Sequence, residues 1–204
     1  MVETIKNKDI RLSNVEYEVR SVDGDEKSEK ITGYALKFDR PSEDLGFIEY
    51  IDKRALDKAN MDNVVALLNH DSNYVLGRVG RNLTLSVDDV GLYFEIEPTG
   101  TSYSRDLLEN MRSGLIDKCS FAFTIPEGGD QWKKLATGGY QRTINSIDKL
   151  YDVSVVTTPA YSDTEAVLSE RSLESKREFI DGDEKTENES RSREVEVMEI
   201  ELEL

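Results

Sequence analysis

One imidazole decides what acid–base chemistry this chain can perform, because His70 is the only histidine among its 204 residues. A reaction that needs a base titrating near neutral pH must use His70 or do without one. The residue follows the apolar run Val64–Leu68, which predicts a short strand covered on both faces, and lies in the turn-forming cluster Asn69–Asn73. We expect His70 where a buried strand ends, with its ring facing a cleft. A surface loop histidine is the alternative.

A serine hydroxyl becomes a nucleophile when an imidazole takes its proton and a third group fixes the tautomer of that imidazole. Ser120 is the candidate, a small hydroxyl residue in the aromatic-rich segment Cys119–Ile125, which alternates like a strand. The alternative is an ordinary serine on the less buried face of that strand. Cys119 is a rival nucleophile, but neighbouring strand residues point to opposite faces, so only one of the two can face His70.

The third group must be a carboxylate or a backbone carbonyl, because no second histidine exists. Asp152 interrupts the otherwise strand-like segment Leu150–Val156. A carboxylate there is either exposed or paired, since burying an unpaired charge is costly. Both alternatives stay open. Asp71 is expected to be a turn residue and Ser154 a structural one.

Many short strands and two short helices must position these side chains. This pattern predicts an α+β, β-rich fold, a compact barrel or sandwich with helices packed outside. The glycine-rich segment Pro126–Gly139, with the only tryptophan, Trp132, is either a flap over the site or a hairpin connection. The predicted strands lie in Ile10–Val22, Ile31–Phe38, Phe47–Ile51, Val64–Leu68, Asn82–Val87, Leu92–Glu97, Cys119–Ile125, Gln141–Ile147 and Leu150–Val156, and the helices are Lys53–Asn60 and Tyr103–Ser113.

Composition excludes several classes of partner. The net charge of −16 argues against nucleic acid, because phosphate binding needs clustered lysines and arginines. No apolar stretch approaches the ~20 residues of a membrane span, and the polar start MVETIKNKDIR is not expected to be a signal peptide. The single Cys119 excludes an internal disulfide and a cysteine-based metal site and suits a reducing cytoplasm. We expect no metal and no cofactor.

Three segments, in their order and spacing, resemble a known family. They are Asn69-His70-Asp71 followed by Leu76-Gly77-Arg78, then Cys119-Ser120-Phe121-Ala122-Phe123, then Asp152–Tyr161. Together they resemble the prohead serine proteases of tailed phages, which mature the capsid and share a fold with herpesvirus assemblin. The resemblance spans residues from about Gly33 to about Leu168.

The resemblance implies an assemblin-like β-barrel core with a few packed helices, with His70 as the base and Ser120 as the nucleophile. The assemblin relatives use a second histidine as the third member. This chain has none, so Asp152 is our choice for that role. The turn near Thr157–Ala160 is the suggested source of backbone N–H donors for an oxyanion.

The function expected from this resemblance is that of a serine endopeptidase that processes capsid or scaffolding protein during prohead maturation and also cleaves itself. Its partners would be the major capsid protein and the scaffolding protein, with no membrane and no nucleic acid, inside the assembling prohead in the host cytoplasm. A homo-oligomer is left open. The alternatives are a non-catalytic assembly or scaffolding protein that keeps the fold, and an unrelated serine hydrolase acting on small esters.

The C-terminal part differs in character from the rest, which predicts a protease domain over 1–168 and an acidic tail over 169–204. The tail has 13 acidic and 6 basic residues, a net charge of −7, and cannot bury a core of its own. Its end, Glu194–Leu204, mostly alternates apolar residues with glutamates. It is either a solvated charged tail or a targeting segment that becomes ordered on a partner, is needed for recruitment and is later removed.

Overall fold

The computed structural model describes residues 8–13, 17–22, 25–42, 44–157, 173–174 and 180. Short strands dominate these residues, as the alternating apolar pattern predicts, and one α-helix is described over its full length. In chain order the elements are β1 (Asp9–Ser13), β2 (Tyr17–Val22), β3 (Asp25–Lys37), β4 (Ile48–Ile51), β5 (Val65–Leu68), β6 (Asp71–Arg78), β7 (Leu83–Val87), β8 (Gly91–Ile96), α1 (Ser102–Arg112), β9 (Lys118–Thr124), β10 (Asp130–Lys134), β11 (Tyr140–Ile144) and β12 (Lys149–Val156).

The strands form three sheets, and the largest carries the candidate site residues. Its order is β1-β9-β12-β5-β6, with β12 antiparallel to β9 and parallel to β5. The second sheet is β2-β3-β8-β7, and the third is β10-β11-β4. Over the described parts of the chain none of these sheets closes on itself. The β-rich prediction is therefore confirmed, whereas the predicted barrel is not.

The helix α1 leads into the strand that carries Ser120. It buries Leu107, Leu108 and Met111 in the main hydrophobic core, which confirms the predicted apolar face. Gly114 ends it with a φ of +69°, and the Gly114 N–H donates to the Met111 carbonyl at 2.9 Å. Glycine tolerates this left-handed conformation without a Cβ penalty. The chain then turns directly into β9.

The predicted helix Lys53–Asn60 is wrong, because this segment is a run of turns. The Ala59 N–H donates to the Leu56 carbonyl at 3.1 Å, a three-residue bond. The Ala55 carbonyl, which a helix would offer to Ala59, accepts instead from the Ile147 N–H at 2.7 Å. A single short turn has little helical stability of its own, so the tertiary hydrogen bond prevails.

The segment Pro126–Gly139 forms a hairpin rather than a free flap, because β10 lies inside it and pairs with β11. Trp132 on β10 is half-buried, with its ring centroid 4.6 Å from that of Phe47. Two described residues of the predicted tail, Leu173 and Ile180, are buried in the same small cluster. At these two positions the chain packs against the third sheet.

Candidate active site

His70 lies in a two-residue turn between β5 and β6. The turn residues Asn69 and His70 have φ values of +54° and +56°. Two positive φ values in succession define the type I′ hairpin turn, and Asn and His tolerate this conformation better than most residues. The turn is fixed against β12, because the Asn69 N–H donates to the Val155 carbonyl at 2.9 Å and the Asn69 side chain accepts from the Thr157 N–H at 3.0 Å.

The register of β9 and β12 brings the other candidates to one face of the sheet. Ser120 pairs directly with Ser154, and Ala122 pairs with Asp152. Residues opposite each other, and residues two apart, share a face of the sheet. The hydroxyls of Ser120 and Ser154 and the carboxylate of Asp152 therefore project to the same side, over which the turn holds the imidazole.

Two short hydrogen bonds join the three predicted site residues. His70 Nδ1 lies 2.5 Å from Asp152 Oδ1, and His70 Nε2 lies 2.6 Å from Ser120 Oγ. An ionised carboxylate can only accept, so Nδ1 carries the ring proton and Nε2 presents its lone pair to the serine hydroxyl. The neutral imidazole is thus oriented to take the proton of Ser120.

Two further oxygen atoms complete the polar surroundings. The Ser154 hydroxyl donates to Asp152 Oδ1 at 2.9 Å and lies 3.2 Å from His70 Nδ1. The Ser120 hydroxyl is also within 3.0 Å of the Arg11 carbonyl. Because the hydroxyl has one proton, it donates either to His70 or to this carbonyl.

Asp152 is paired rather than exposed, which decides between the two alternatives that the sequence left open. The residue is 2% exposed. Burial acts to raise the pKa of its carboxyl, but the hydrogen bond with His70 and the charge and hydrogen bond of Lys8 outweigh burial and hold that pKa below its ordinary value. The Lys8 ammonium lies 2.9 Å from Asp152 Oδ2. Asp152 therefore stays ionised while buried.

The rival nucleophile Cys119 lies in the main hydrophobic core, on the opposite side of β9 from Ser120. Burial raises the pKa of its thiol to about 12, so it has almost no thiolate at neutral pH.

Asp71 accepts from the backbone and side chain of Asn73 at 2.8 Å, as expected of a turn residue. Of the suggested oxyanion donors only Thr157 is described, and its N–H is the one bound to Asn69. Residues 158–160 lie outside the described residues.

A second buried polar cluster, which we call the arginine network, consists of Arg11, Glu49, Arg142 and Asp130. Glu49 accepts from Arg11 Nε at 2.6 Å and from Arg142 Nη1 at 3.0 Å. Asp130 Oδ2 accepts from Arg142 Nε at 2.7 Å. The Arg11 main chain joins the network to the candidate site, because its carbonyl accepts from Ser120, whereas the Arg11 side chain projects from the other face of β1.

Sequence reasoning missed Lys8, Arg11 and Glu49. Glu49 sits inside an apolar strand, the same kind of pattern that drew attention to Asp152, so this pattern also predicts its pairing. Nothing in the sequence links Lys8 to Asp152, because their contact depends on the order of β1, β9 and β12.

The described residues contain no cluster of histidine, cysteine or carboxylate side chains able to hold a metal ion. None of their helices has the length and hydropathy needed to cross a membrane.

A base, a hydroxyl and a carboxylate joined in this way have the arrangement of a serine protease site. A sequence model of the Caudovirus prohead serine protease family matches residues 15–179, so the chain belongs to that family of phage capsid-maturation proteases. Among solved structures, it is similar to the capsid assembly protease gp21 of bacteriophage T4, with 16% identity, a TM-score of 0.47, and coverage of 74% of this chain and 99% of that one. The comparison with curated proteins finds no match.

Proposed function

We propose that this protein is a serine endopeptidase in which Ser120 is the nucleophile, His70 the general base and Asp152 the group that orients the imidazole. The observation that carries the proposal is the continuous line of short contacts from Asp152 through His70 to Ser120. Membership of the prohead protease family supports peptide hydrolysis as the reaction.

In the first half-reaction, Ser120 Oγ attacks the carbonyl carbon of the scissile peptide bond while His70 Nε2 takes the hydroxyl proton. The carboxylate of Asp152 stabilises the imidazolium that forms. The C–N bond then breaks, and His70 gives its proton to the departing amine. The products of this half are the free amine and an ester between the acyl group and Ser120.

In the second half-reaction, water replaces the amine. His70 Nε2 removes a proton from the water as its oxygen attacks the ester carbon. The bond to Ser120 Oγ breaks, and the proton returns from His70 to the serine. The enzyme is regenerated and the carboxylic acid product leaves.

The substrates we propose are the major capsid protein and the scaffolding protein of the assembling prohead, together with the enzyme's own chain. Family membership supports this location and class of substrate. The acidic tail over 169–204, net charge −7, would recruit the enzyme to the head and be cut off afterwards. Its charge would also keep the cleaved tail from binding packaged DNA.

One observation favours a second candidate, a non-catalytic assembly protein that keeps the fold. Ser120 is 0% exposed, so a substrate carbonyl reaches its hydroxyl only after neighbouring groups move. A purely structural role for the serine would need no such movement. Reaction with a small serine-directed probe distinguishes the two candidates.

The experiment compares the parent protein with Ser120→Ala and Cys119→Ala after treatment with a fluorophosphonate. We expect the parent and Cys119→Ala to be labelled at Ser120 and to cleave the phage capsid protein. Ser120→Ala should fold, remain unlabelled and lose on the order of 10⁶-fold in rate. Near-parental cleavage by Ser120→Ala would refute the assignment of the nucleophile. An unlabelled parent that cleaves nothing would favour the assembly protein.

The tail is tested by truncation after Ile180 rather than after Leu168, because Leu173 and Ile180 are buried against the third sheet. The shortened chain should cleave peptides at the parental rate and be incorporated poorly into heads. Full-length Ser120→Ala should keep its complete mass, whereas the active parent loses its tail. Normal incorporation of the shortened chain would exclude recruitment by these residues.

A further inference from the structure

Lys8 contributes a cation to the candidate site from outside the region that defines the family. The family match begins at residue 15, and Lys8 lies just before β1. Its Nζ is 2.9 Å from Asp152 Oδ2, whereas Asp152 Oδ1 accepts from His70 and Ser154. The two carboxylate oxygens therefore have separate tasks, one facing the catalytic base and one facing the lysine.

The sheet explains how a lysine outside the matched region reaches this carboxylate. β1 pairs with β9 so that Ile10 lies opposite Ala122, and Asp152 lies opposite Ala122 from the other side. Lys8 is two residues from Ile10, so its side chain projects from the same face. The side chain of Ala122 on β9 is only a methyl group, so the lysine side chain can extend from β1 across β9 to Asp152 on β12. The ammonium also lies 5.2 Å from the centre of the Tyr151 ring.

The pairing differs from an ordinary surface ion pair because one partner is buried. The Asp152 side chain is 3% exposed, and that of Lys8 is 31% exposed. A carboxylate held from both sides cannot rotate away from the imidazole, which favours the reactive geometry. The ammonium also offsets part of the carboxylate charge that faces the imidazole, so we expect its removal in a variant to favour the imidazolium form.

No other charged side chain near Asp152 is recorded in contact with its Oδ2 in the part of the chain that the structure describes. Lys149, on the same strand as Asp152, places its Nζ 4.9 Å from the centre of the Tyr151 ring. From the hairpin turn only His70 faces the carboxylate, since Asp71 is bonded to Asn73. From β9 the neighbours are the uncharged Ser120 and Ala122.

Building on the proposed function, we propose that Lys8 is a positioning residue that holds Asp152 by its second oxygen and balances part of the carboxylate charge that faces His70. This makes the segment before the family match part of the catalytic machinery. Lys8 acts through Asp152 and does not touch the substrate.

The experiment uses the full-length protein and the variants Lys8→Met, Lys8→Arg and Lys149→Met. Methionine removes the charge at similar length, arginine keeps it, and Lys149→Met removes the other lysine beside Tyr151. Two quantities are measured against pH: kcat/KM on a capsid-derived peptide, and the imidazole resonance in NMR, which is unambiguous because His70 is the only histidine.

We expect Lys8→Met to lower kcat on the order of tenfold with KM little changed. The acid limb of its rate profile and the imidazole titration should both move to higher pH, while Lys8→Arg and Lys149→Met follow the parent. Unchanged kcat and an unchanged imidazole titration in Lys8→Met would overturn the proposal, even if Ser120→Ala confirms the protease. If instead the protein proves not to be an enzyme, a shifted titration in Lys8→Met still supports the coupling of Lys8 to the Asp152–His70 pair, and an unshifted one overturns it.

Discussion

The candidate site and the arginine network are both buried polar clusters, yet only one of them can react. In the arginine network, Arg11, Glu49 and Arg142 are at most 6% exposed, and the hydrogen bonds of Glu49 with the two arginines join fixed opposite charges. In the site, the His70 side chain is 20% exposed, and its neutral ring directs the Nε2 lone pair at the Ser120 hydroxyl. That hydroxyl can instead donate to the Arg11 carbonyl. A group that can exchange a proton distinguishes a reactive cluster from a structural one.

This difference predicts opposite consequences of removing a carboxylate from each cluster. Loss of the carboxylate beside the imidazole should affect the rate and leave the fold. Loss of the carboxylate between the two arginines should affect the stability and leave most of the rate. The following four experiments test that separation, beginning with the largest effect.

Asp152→Asn should reduce kcat by up to about 10⁴-fold with little loss of stability. An amide can donate to Nδ1 and leave the proton on Nε2, the wrong tautomer for accepting from Ser120. Single-turnover rates and denaturant unfolding of the same preparation measure both quantities. Parental kinetics in this variant would assign the third catalytic role to another group.

Glu49→Gln should lower the free energy of unfolding by about 3–5 kcal/mol, because two buried guanidinium groups lose their shared counter-charge. Its control is Glu95→Gln, which breaks the partly exposed Lys30–Glu95 pair of 2.7 Å and should lower the free energy of unfolding far less, because solvent screens that pair. The folded fraction of Glu49→Gln should retain a rate within about tenfold of the parent. A rate as low as that of Asp152→Asn, at parental stability, would contradict the separation of the two clusters.

Ser154→Ala should lower kcat by about tenfold, since one hydrogen bond to a charged group is lost from the face of Asp152. Ser104→Ala is the matched control, because Ser104 is equally buried and bonds the Thr101 hydroxyl at 2.8 Å, away from the site. Steady-state kinetics on both variants decide the point. If the control loses as much activity, the effect is one of general packing.

The lowered pKa of the Asp152 carboxyl predicts a small pH dependence of stability. A carboxyl whose pKa is depressed by folding stabilises the protein above its unfolded pKa of about 3.9 and loses this contribution as pH falls through the folded value. The free energy of unfolding of the parent, relative to Asp152→Asn, should therefore decline as the pH falls below about 4. Parallel unfolding curves for the two proteins over this range would show that Asp152 does not contribute.

The sequence alone placed the helix α1 and most of the strands near their observed positions, because apolar periodicity reports which face is buried. It did not predict β6, and it began the strand of β3 at Ile31 instead of Asp25. The sequence also identified His70, Ser120 and Asp152 as candidate site residues, from their chemistry and from the resemblance to the prohead proteases. It failed at Lys53–Asn60, where a tertiary hydrogen bond to the Ala55 carbonyl replaces the helical one. It failed also at β10, where polar residues gain strand structure from pairing with β11.

The tertiary structure decided what the candidates contact. Ser120 and Asp152 share a face only because β9 and β12 pair in this register, and a slip of one residue would turn one of them to the core. The left-handed φ values of the turn place the imidazole over that face, and no residue pattern contains this information. Lys8 reaches Asp152 across β9, 144 residues away along the chain. Composition and periodicity describe local burial, whereas strand order and register, which are set by the whole chain, bring these distant charges together.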